Sequence, residues 1–218
     1  MIYYSLFDIS ILEPSDVEMM REKIRGNFSN NVNIKSVESV VSKALLCMLL
    51  RRQFGIRDFY VDCDKNGKPF IVDSKISFNL SHSGSYVMCV CADENVGCDI
   101  QQIKPYNDKV AKRFFTKCEY EALEKCEDKA YAFTVMWTLK ESALKFSGEG
   151  ISGGLDRYDF SAYYDKKWFT ADGMHFVRTD LEDYVFTICC SDTTLPSDID
   201  NHVKNNCSEV KGEFYEHL

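Results

Sequence analysis

Tyr86-Val87-Met88-Cys89-Val90-Cys91-Ala92, followed by Asp93-Glu94-Asn95 and then Val96-Gly97-Cys98-Asp99-Ile100, is the stretch on which the fold turns. The first seven residues are apolar almost throughout. An unbroken apolar run of this length reads as a strand covered on both faces, central in a sheet. The acidic turn then sends the chain into a second strand. Residues 101–107, which include Pro105, carry no apolar periodicity and mark a seam.

The chain has the same plan on either side of the seam. Upstream, residues 2–9 read as a strand. Val37, Val40, Val41, Ala44, Leu45, Met48 and Leu49 then recur at helical spacing, which predicts a helix from Ser36 to about Gln53. Short strands at 59–63 and 69–72 flank the turn dipeptide Asn66-Gly67, and a further strand spans 77–80. Downstream, helical pattern resumes near Asp108, and Thr116-Lys117-Cys118-Glu119 fits a capping box. A long helix covers 129–147 and ends in Gly148-Glu149-Gly150. Two hairpins follow, 157–163 with 168–171 and 174–178 with 184–190. The last 25 or so residues are polar and read as a tail. This is an α+β chain with helix and hairpins occurring twice, divided as residues 1–103 and 104–218.

Composition bounds the function. The 218 residues are 45% hydrophobic and 28% charged, the mix of an ordinary globular protein. The net charge of −8 excludes a generally basic surface for nucleic acid. Most of the excess acid lies late: residues 181–218 hold eight acids against Lys204 and Lys211. No apolar run approaches the roughly 18 residues of a membrane span, and the first residues lack the pattern of a signal peptide. Ten cysteines without a C-x-x-C pair, and four histidines without H-x-x-x-H spacing, do not make a zinc site. Cys47, Cys89, Cys91 and Cys189 lie in apolar segments, as reduced core thiols in a cytoplasmic protein would.

Four segments could carry chemistry. Trp137, Glu141 and Lys145 fall at i, i+4 and i+8 along one helix face, while Met136, Leu139, Ala143 and Phe146 line another. An exposed Glu–Lys pair worth about 0.3–0.5 kcal/mol is the plain alternative. Asp99, between apolar neighbours in a strand, needs a partner, either a metal ion or a hydrogen-bonded turn. Ser81-His82-Ser83-Gly84 offers several donors suited to phosphate oxygens. Lys68, beside the Asn66-Gly67 turn, is either a surface hairpin lysine or within reach of a phosphate.

Taken together and in order, Gly67-Lys68-Pro69, Asn79-Leu80-Ser81-His82-Ser83, Val96-Gly97-x-Asp99-Ile100, Phe114-Phe115-x-x-x-Glu119 and Trp137-x-x-Lys140-Glu141-Ser142-x-x-Lys145-x-x-Gly148-x-Gly150-Ile151 resemble the surfactin-type 4′-phosphopantetheinyl transferases. The resemblance covers about residues 35–160. It implies a pseudo-twofold monomer of two similar α+β halves with the active site in the cleft between them. It also implies transfer of the 4′-phosphopantetheine arm of coenzyme A to a serine of an acyl or peptidyl carrier protein, with release of 3′,5′-ADP.

By motif position, the resemblance assigns Mg²⁺ to Asp99 and Glu141, with Gln101 where the family has a second acid near the motif Asp. An amide is a weaker magnesium ligand than a carboxylate, so weaker metal affinity is expected. Glu141 becomes the general base and Lys145 the pyrophosphate partner. His82 contacts a phosphate, and Ser81, Gly67, Lys68 and Pro69 line the adenine and 3′-phosphate end. Ser39 takes the place of a helix Thr, with Glu38 where a base is expected and Lys35 or Lys43 compensating. Lys109, Lys112, Arg113 and Lys117 form a basic segment suited to an acidic carrier helix. A solvated face balanced by Glu119 and Glu121 is the other reading of that segment. Two other functions stay open at this level, a coenzyme A- or carrier-binding module without turnover and a Mg²⁺-dependent nucleotide hydrolase.

Overall fold

The computed structural model describes residues 1–148 and 154–191. The expected polar tail, together with Gly150 and Ile151 of the last motif, lies outside the described residues.

The apolar run forms β5 (Tyr86–Ala92), buried along its whole length. It is the middle strand of an antiparallel sheet, between β1 (Ile2–Asp8) and β4 (Ser77–Ser83). Ile2 and Ser77 both stand opposite Ala92, and Asp8 and Ser83 opposite Tyr86. One face of this sheet carries α2 (Val37–Gln53), which starts at the expected cap, where the Ser36 hydroxyl accepts the Ser39 N–H. The helix is buried nearly all round because α1 (Pro14–Ile24) covers its far side with Val17, Met20 and Ile24. The hairpin β2 (Val61–Cys63) with β3 (Pro69–Ile71) forms around Asn66-Gly67 as expected, Gly67 taking φ +82°.

After the acidic turn, β6 (Val96–Gln102) leaves the first sheet. It pairs with β9 (Tyr184–Cys190) from Val96↔Cys190 to Gln102↔Tyr184, opening a second sheet ordered β6-β9-β8-β7, with β8 at Met174–Leu181 and β7 at Trp168–Ala171. The change of sheet therefore falls at the 93–95 turn, ahead of the seam. The inner faces of the two sheets pack together through Leu6, Met88 and Val90 against Ile100, Phe186 and Ile188. Where edge strands β4 and β6 meet, side chains replace a backbone ladder. Asn79 Oδ1, Ser81 Oγ and Ser83 Oγ accept the N–H groups of Cys98 (3.3 Å), Ile100 (3.3 Å) and Gln102 (3.0 Å). The period-2 alternation of β4 aims all three at β6.

The outer face of the second sheet carries α5 (Lys129–Ser147), capped by Asp128 at its start and by Gly148 at φ +76° at its end. α5 lies very close to β6. A Cβ at Gly97 would sit 2.1 Å from Ser142 O and 2.5 Å from Phe146 N. Only glycine admits that approach. Two short helices, α3 (Asp108–Phe114) and α4 (Lys117–Lys125), precede α5, and the expected Thr116–Glu119 capping box is present. Phe115, Phe133 and Trp137 stack in series and hold α3 against α5.

One expected hairpin is absent. Residues 155–157 form a 3-10 turn and the chain from 158 to 167 makes no strand, so β7 pairs with β8 instead. The physical reason is that the backbone groups of this segment bond to side chains. The carbonyls of Leu155 and Tyr158 accept Lys140 Nζ at 2.7 and 2.5 Å, and the Phe160 N–H donates to Glu119 Oε1 at 2.9 Å. The nine described cysteines are free, six of them buried. Burial pushes the Cys47 and Cys98 thiols up to about 12.

Candidate active site

The site residues converge where β4, β6 and α5 meet. Asp99 sits in β6 at 2% exposure, and its burial is matched by three donors. Lys145 Nζ and Ser81 Oγ each lie 2.7 Å from Oδ1, and Gln101 Nε2 lies 3.1 Å from Oδ2. Lys145 Nζ also reaches Ser81 Oγ at 3.0 Å. The partner that Asp99 needs is therefore an ammonium supplied from 46 residues away.

Glu141 lies one helical turn before Lys145 on α5, half-buried. Burial pushes its carboxyl upward, the Asp99 carboxylate adds to that, and Lys145 opposes it. The result is a more basic carboxylate than usual. For Lys145, burial pulls downward, but Asp99, Cys98 and Glu141 together outweigh it and hold the group above the ordinary lysine range. It remains an ammonium.

Two carboxylates and an amide are oxygen donors of the kind magnesium prefers, an ion usually held by one or two carboxylates plus substrate phosphates. Among the described residues no group of three His, Cys, Asp or Glu side chains forms a self-sufficient metal cage. The donor set fits an ion that completes its shell with phosphate and water.

The other expected residues lie on β4, in the first turn of α2 and in the β2–β3 turn. His82 is exposed on β4, close enough to the first turn of α2 to influence Glu38. Glu38 is held below the usual carboxylate range first by its backbone N–H, then by the Ser36 hydroxyl, with His82 contributing. The Ser39 hydroxyl donates to Asn33 O and accepts Lys43 Nζ at 3.1 Å. Burial lowers Lys43 to about 8. Gly67 and Lys68 lie in a turn closed by Asp64 Oδ1, which accepts the N–H groups of Asn66 and Lys68 at 2.8 Å, and Pro69 opens β3. Lys68 is not a free hairpin lysine. Its ammonium donates to Lys145 O at 2.9 Å, across the junction.

Lys109, Lys112, Arg113 and Lys117 are all exposed on α3 and at the start of α4. Lys112 pairs with Asp108 at 2.7 Å and Lys117 with Glu121 at 3.8 Å. Glu119 does not balance this face, contrary to the solvated-face reading. It is fully buried and faces Lys140 Nζ at 2.6 Å, itself fully buried. This pair is the principal feature that sequence reasoning missed. Its signal was a capping-box Glu inside the motif Phe114-Phe115-x-x-x-Glu119, but a helical Lys beside Glu141 reads by default as exposed. The pair ties α5 to α4, and its further bonds to Leu155 O, Tyr158 O and Phe160 N tie both helices to the 155–160 segment.

Comparison with known proteins shows the family to which the chain belongs. A family described as "ACPS: 4′-phosphopantetheinyl transferase superfamily" matches residues 95–189, from β6 to β9. The 4′-phosphopantetheinyl transferase Sfp of Bacillus subtilis (strain 168) is 31% identical over 173 residues, 74% of this chain and 77% of that protein. The 4′-phosphopantetheinyl transferase gsp of Aneurinibacillus migulanus is 35% identical over 129 residues, 57% of this chain and 54% of that protein. The L-aminoadipate-semialdehyde dehydrogenase-phosphopantetheinyl transferase of Saccharomyces cerevisiae is 31% identical over 148 residues, 59% of this chain and 53% of that protein. The chain belongs to the 4′-phosphopantetheinyl transferase superfamily, in its surfactin-type branch, and is an enzyme of that class. No helix among the described residues is long and apolar enough to cross a membrane.

Proposed function

We propose that this enzyme transfers the 4′-phosphopantetheine arm of coenzyme A to a serine hydroxyl of an acyl or peptidyl carrier protein and releases 3′,5′-ADP. The observation that carries the reading is the Asp99–Ser81–Lys145 cluster with Glu141 one turn away. It brings a carboxylate, a candidate base and a cation together where β4, β6 and α5 meet.

The serine proton passes to the Glu141 carboxylate, made more basic by burial. The serine oxygen bonds to the β-phosphorus as the bond from that phosphorus to the bridging oxygen breaks. The Lys145 ammonium takes up charge developing on the departing phosphate. Asp99 and Glu141, with Gln101 beside them, would hold Mg²⁺, which supplies neutralisation of the pyrophosphate when bound. His82 would contact a phosphate; Ser81, expected at the adenine and 3′-phosphate end, bonds Asp99 and Lys145 and would face the pyrophosphate instead, while the Gly67–Pro69 turn and Ser39 would lie toward the adenosine 3′-phosphate end. The cleft lies between the halves 1–103 and 104–218, with β6 as a shared wall.

The exposed basic residues Lys109, Lys112, Arg113 and Lys117 form the surface for an acidic carrier helix; Glu119 is buried away from this face, while Asp108 and Glu121 pair with Lys112 and Lys117 on it. Free buried thiols favour a reducing compartment, the cytoplasm. The family resemblance implies a monomer.

The test is to incubate the protein with Mg²⁺, coenzyme A and a panel of apo carrier proteins and to weigh the carriers. Gain of the phosphopantetheine arm supports transfer. Nucleotide release without gain points to a hydrolase, and binding alone to a non-catalytic module.

A further inference from the structure

The Lys68 ammonium does not point away from the protein, as a phosphate-seeking lysine on a hairpin would. It reaches across the junction between the β2–β3 hairpin and α5 and donates to the carbonyl oxygen of Lys145 at 2.9 Å, 77 residues away. That carbonyl belongs to the last turn of α5, where the helix leaves its own acceptors open. A cation there also complements the negative end of the helix. The stem of Lys68 lies over Gly148. A Cβ at Gly148 would come 3.3 Å from Lys68 Nζ and 3.5 Å from its Cδ. The left-handed glycine that ends α5 thus clears the path by which Lys68 reaches the helix. Lys68 is half-buried, and burial lowers its pKa, as expected for an ammonium drawn out of solvent to meet one acceptor.

The residue whose carbonyl is held is Lys145, whose own ammonium is 2.7 Å from Asp99 and 3.0 Å from Ser81. One backbone bond thus ties the hairpin turn to the end of the helix that aims the site's cation. We propose that Lys68 is a positioning residue for Lys145, acting through the α5 carbonyl, and that its ammonium is not a ligand of the coenzyme A 3′-phosphate. The backbone of the Gly67–Pro69 turn remains available to the nucleotide. The kinetic part of the proposal rests on the transfer reading, and the structural part does not.

Two variants and two readouts test it. Lys68→Met keeps the stem and removes the donor, whereas Lys68→Arg keeps a donor. In the ligand-free protein, amide hydrogen exchange across residues 144–148 should speed up on the order of tenfold in Lys68→Met, the scale of one charged hydrogen bond, and return toward the wild-type rate in Lys68→Arg. This readout needs no activity, so it decides the inference even if no carrier is modified. In the transfer assay, Lys68→Met should lower kcat about tenfold with coenzyme A and with 3′-dephospho-coenzyme A alike, leaving the ratio of the two KM values unchanged. Unchanged exchange would overturn the proposal. So would a KM that rises for coenzyme A alone, because that pattern belongs to a phosphate ligand. Failure of the wild-type protein to modify any carrier would instead refute the transfer reading.

Discussion

Gly97→Ala should destabilise the protein and cripple the site together, and the structure sets the size of the effect. The new Cβ would lie 2.1 Å from Ser142 O, 2.5 Å from Phe146 N and 3.0 Å from Phe146 Cα. All three are backbone atoms of α5, so no side chain can rotate out of the way. Ordinary contact begins near 3.4 Å, so the helix must retreat from β6 by about 1 Å or more. Overpacking of this kind costs about 1–3 kcal/mol where side chains can adjust, and a rigid backbone puts the cost at about 3 kcal/mol or above. For a chain of this size that is a fall of roughly 6–12 °C in Tm. The same retreat draws Lys145 away from Asp99, now 2.7 Å apart, so transfer should fall even at temperatures where the variant is folded. Urea unfolding followed by circular dichroism measures the first effect and carrier modification the second. Gly26→Ala is the control: its Cβ would meet nothing within 4 Å, and its stability should change by less than about 0.5 kcal/mol. If Gly97→Ala unfolds at the wild-type urea concentration, α5 does not lie on β6 as described.

Lys140→Met leaves the Glu119 carboxylate buried without its partner and should cost about 3–5 kcal/mol, whereas adding Glu119→Gln should recover part of the loss; both are read by denaturant unfolding. Lys43 gives a pH test. Its folded-state pKa of about 8 is depressed below the ordinary lysine value of 10.5, so between those values the unfolded chain binds more protons and wild-type stability rises with pH relative to Lys43→Met. The difference should be flat below about pH 8, and a falling difference across the window would contradict the burial of that ammonium. Reversing Lys112 and Arg113 to Glu should raise KM for an acidic carrier protein several-fold more than KM for coenzyme A, an effect that shrinks with added salt.

What was legible locally is what local physics decides. The apolar run 86–92 could only be a covered strand, and it is the middle of its sheet. Ser36, Thr116 and Gly148 mark helix ends through bonds within a few residues, and the helices begin and end there. α1 was not foreseen because only Val17, Met20 and Ile24 of its eleven residues are buried and its cap is Glu13, an uncommon one. Tyr158 and Phe160 alternate as a strand would, yet their backbone is bonded to Lys140 and Glu119, partners 18 and 41 positions away. That choice is invisible in a local pattern. Nor does a strand announce its neighbour: β6 follows β5 by a short turn, yet it pairs with β9. At the site, the residue types of Asp99, Glu141 and Lys145 were readable through their motifs. Their meeting point and the Lys68 bond to Lys145 O were not, since both depend on how two sheets are set against each other through Asn79, Ser81 and Ser83.

The most direct test of the account is the intact mass of an apo carrier protein after incubation with coenzyme A, Mg²⁺ and either the wild-type chain or its folded Glu141→Ala variant. The account predicts that the wild-type chain adds the phosphopantetheine arm to the carrier serine and that the variant adds none on the same timescale. An unmodified carrier with the wild-type chain, or equal modification by both, would contradict it.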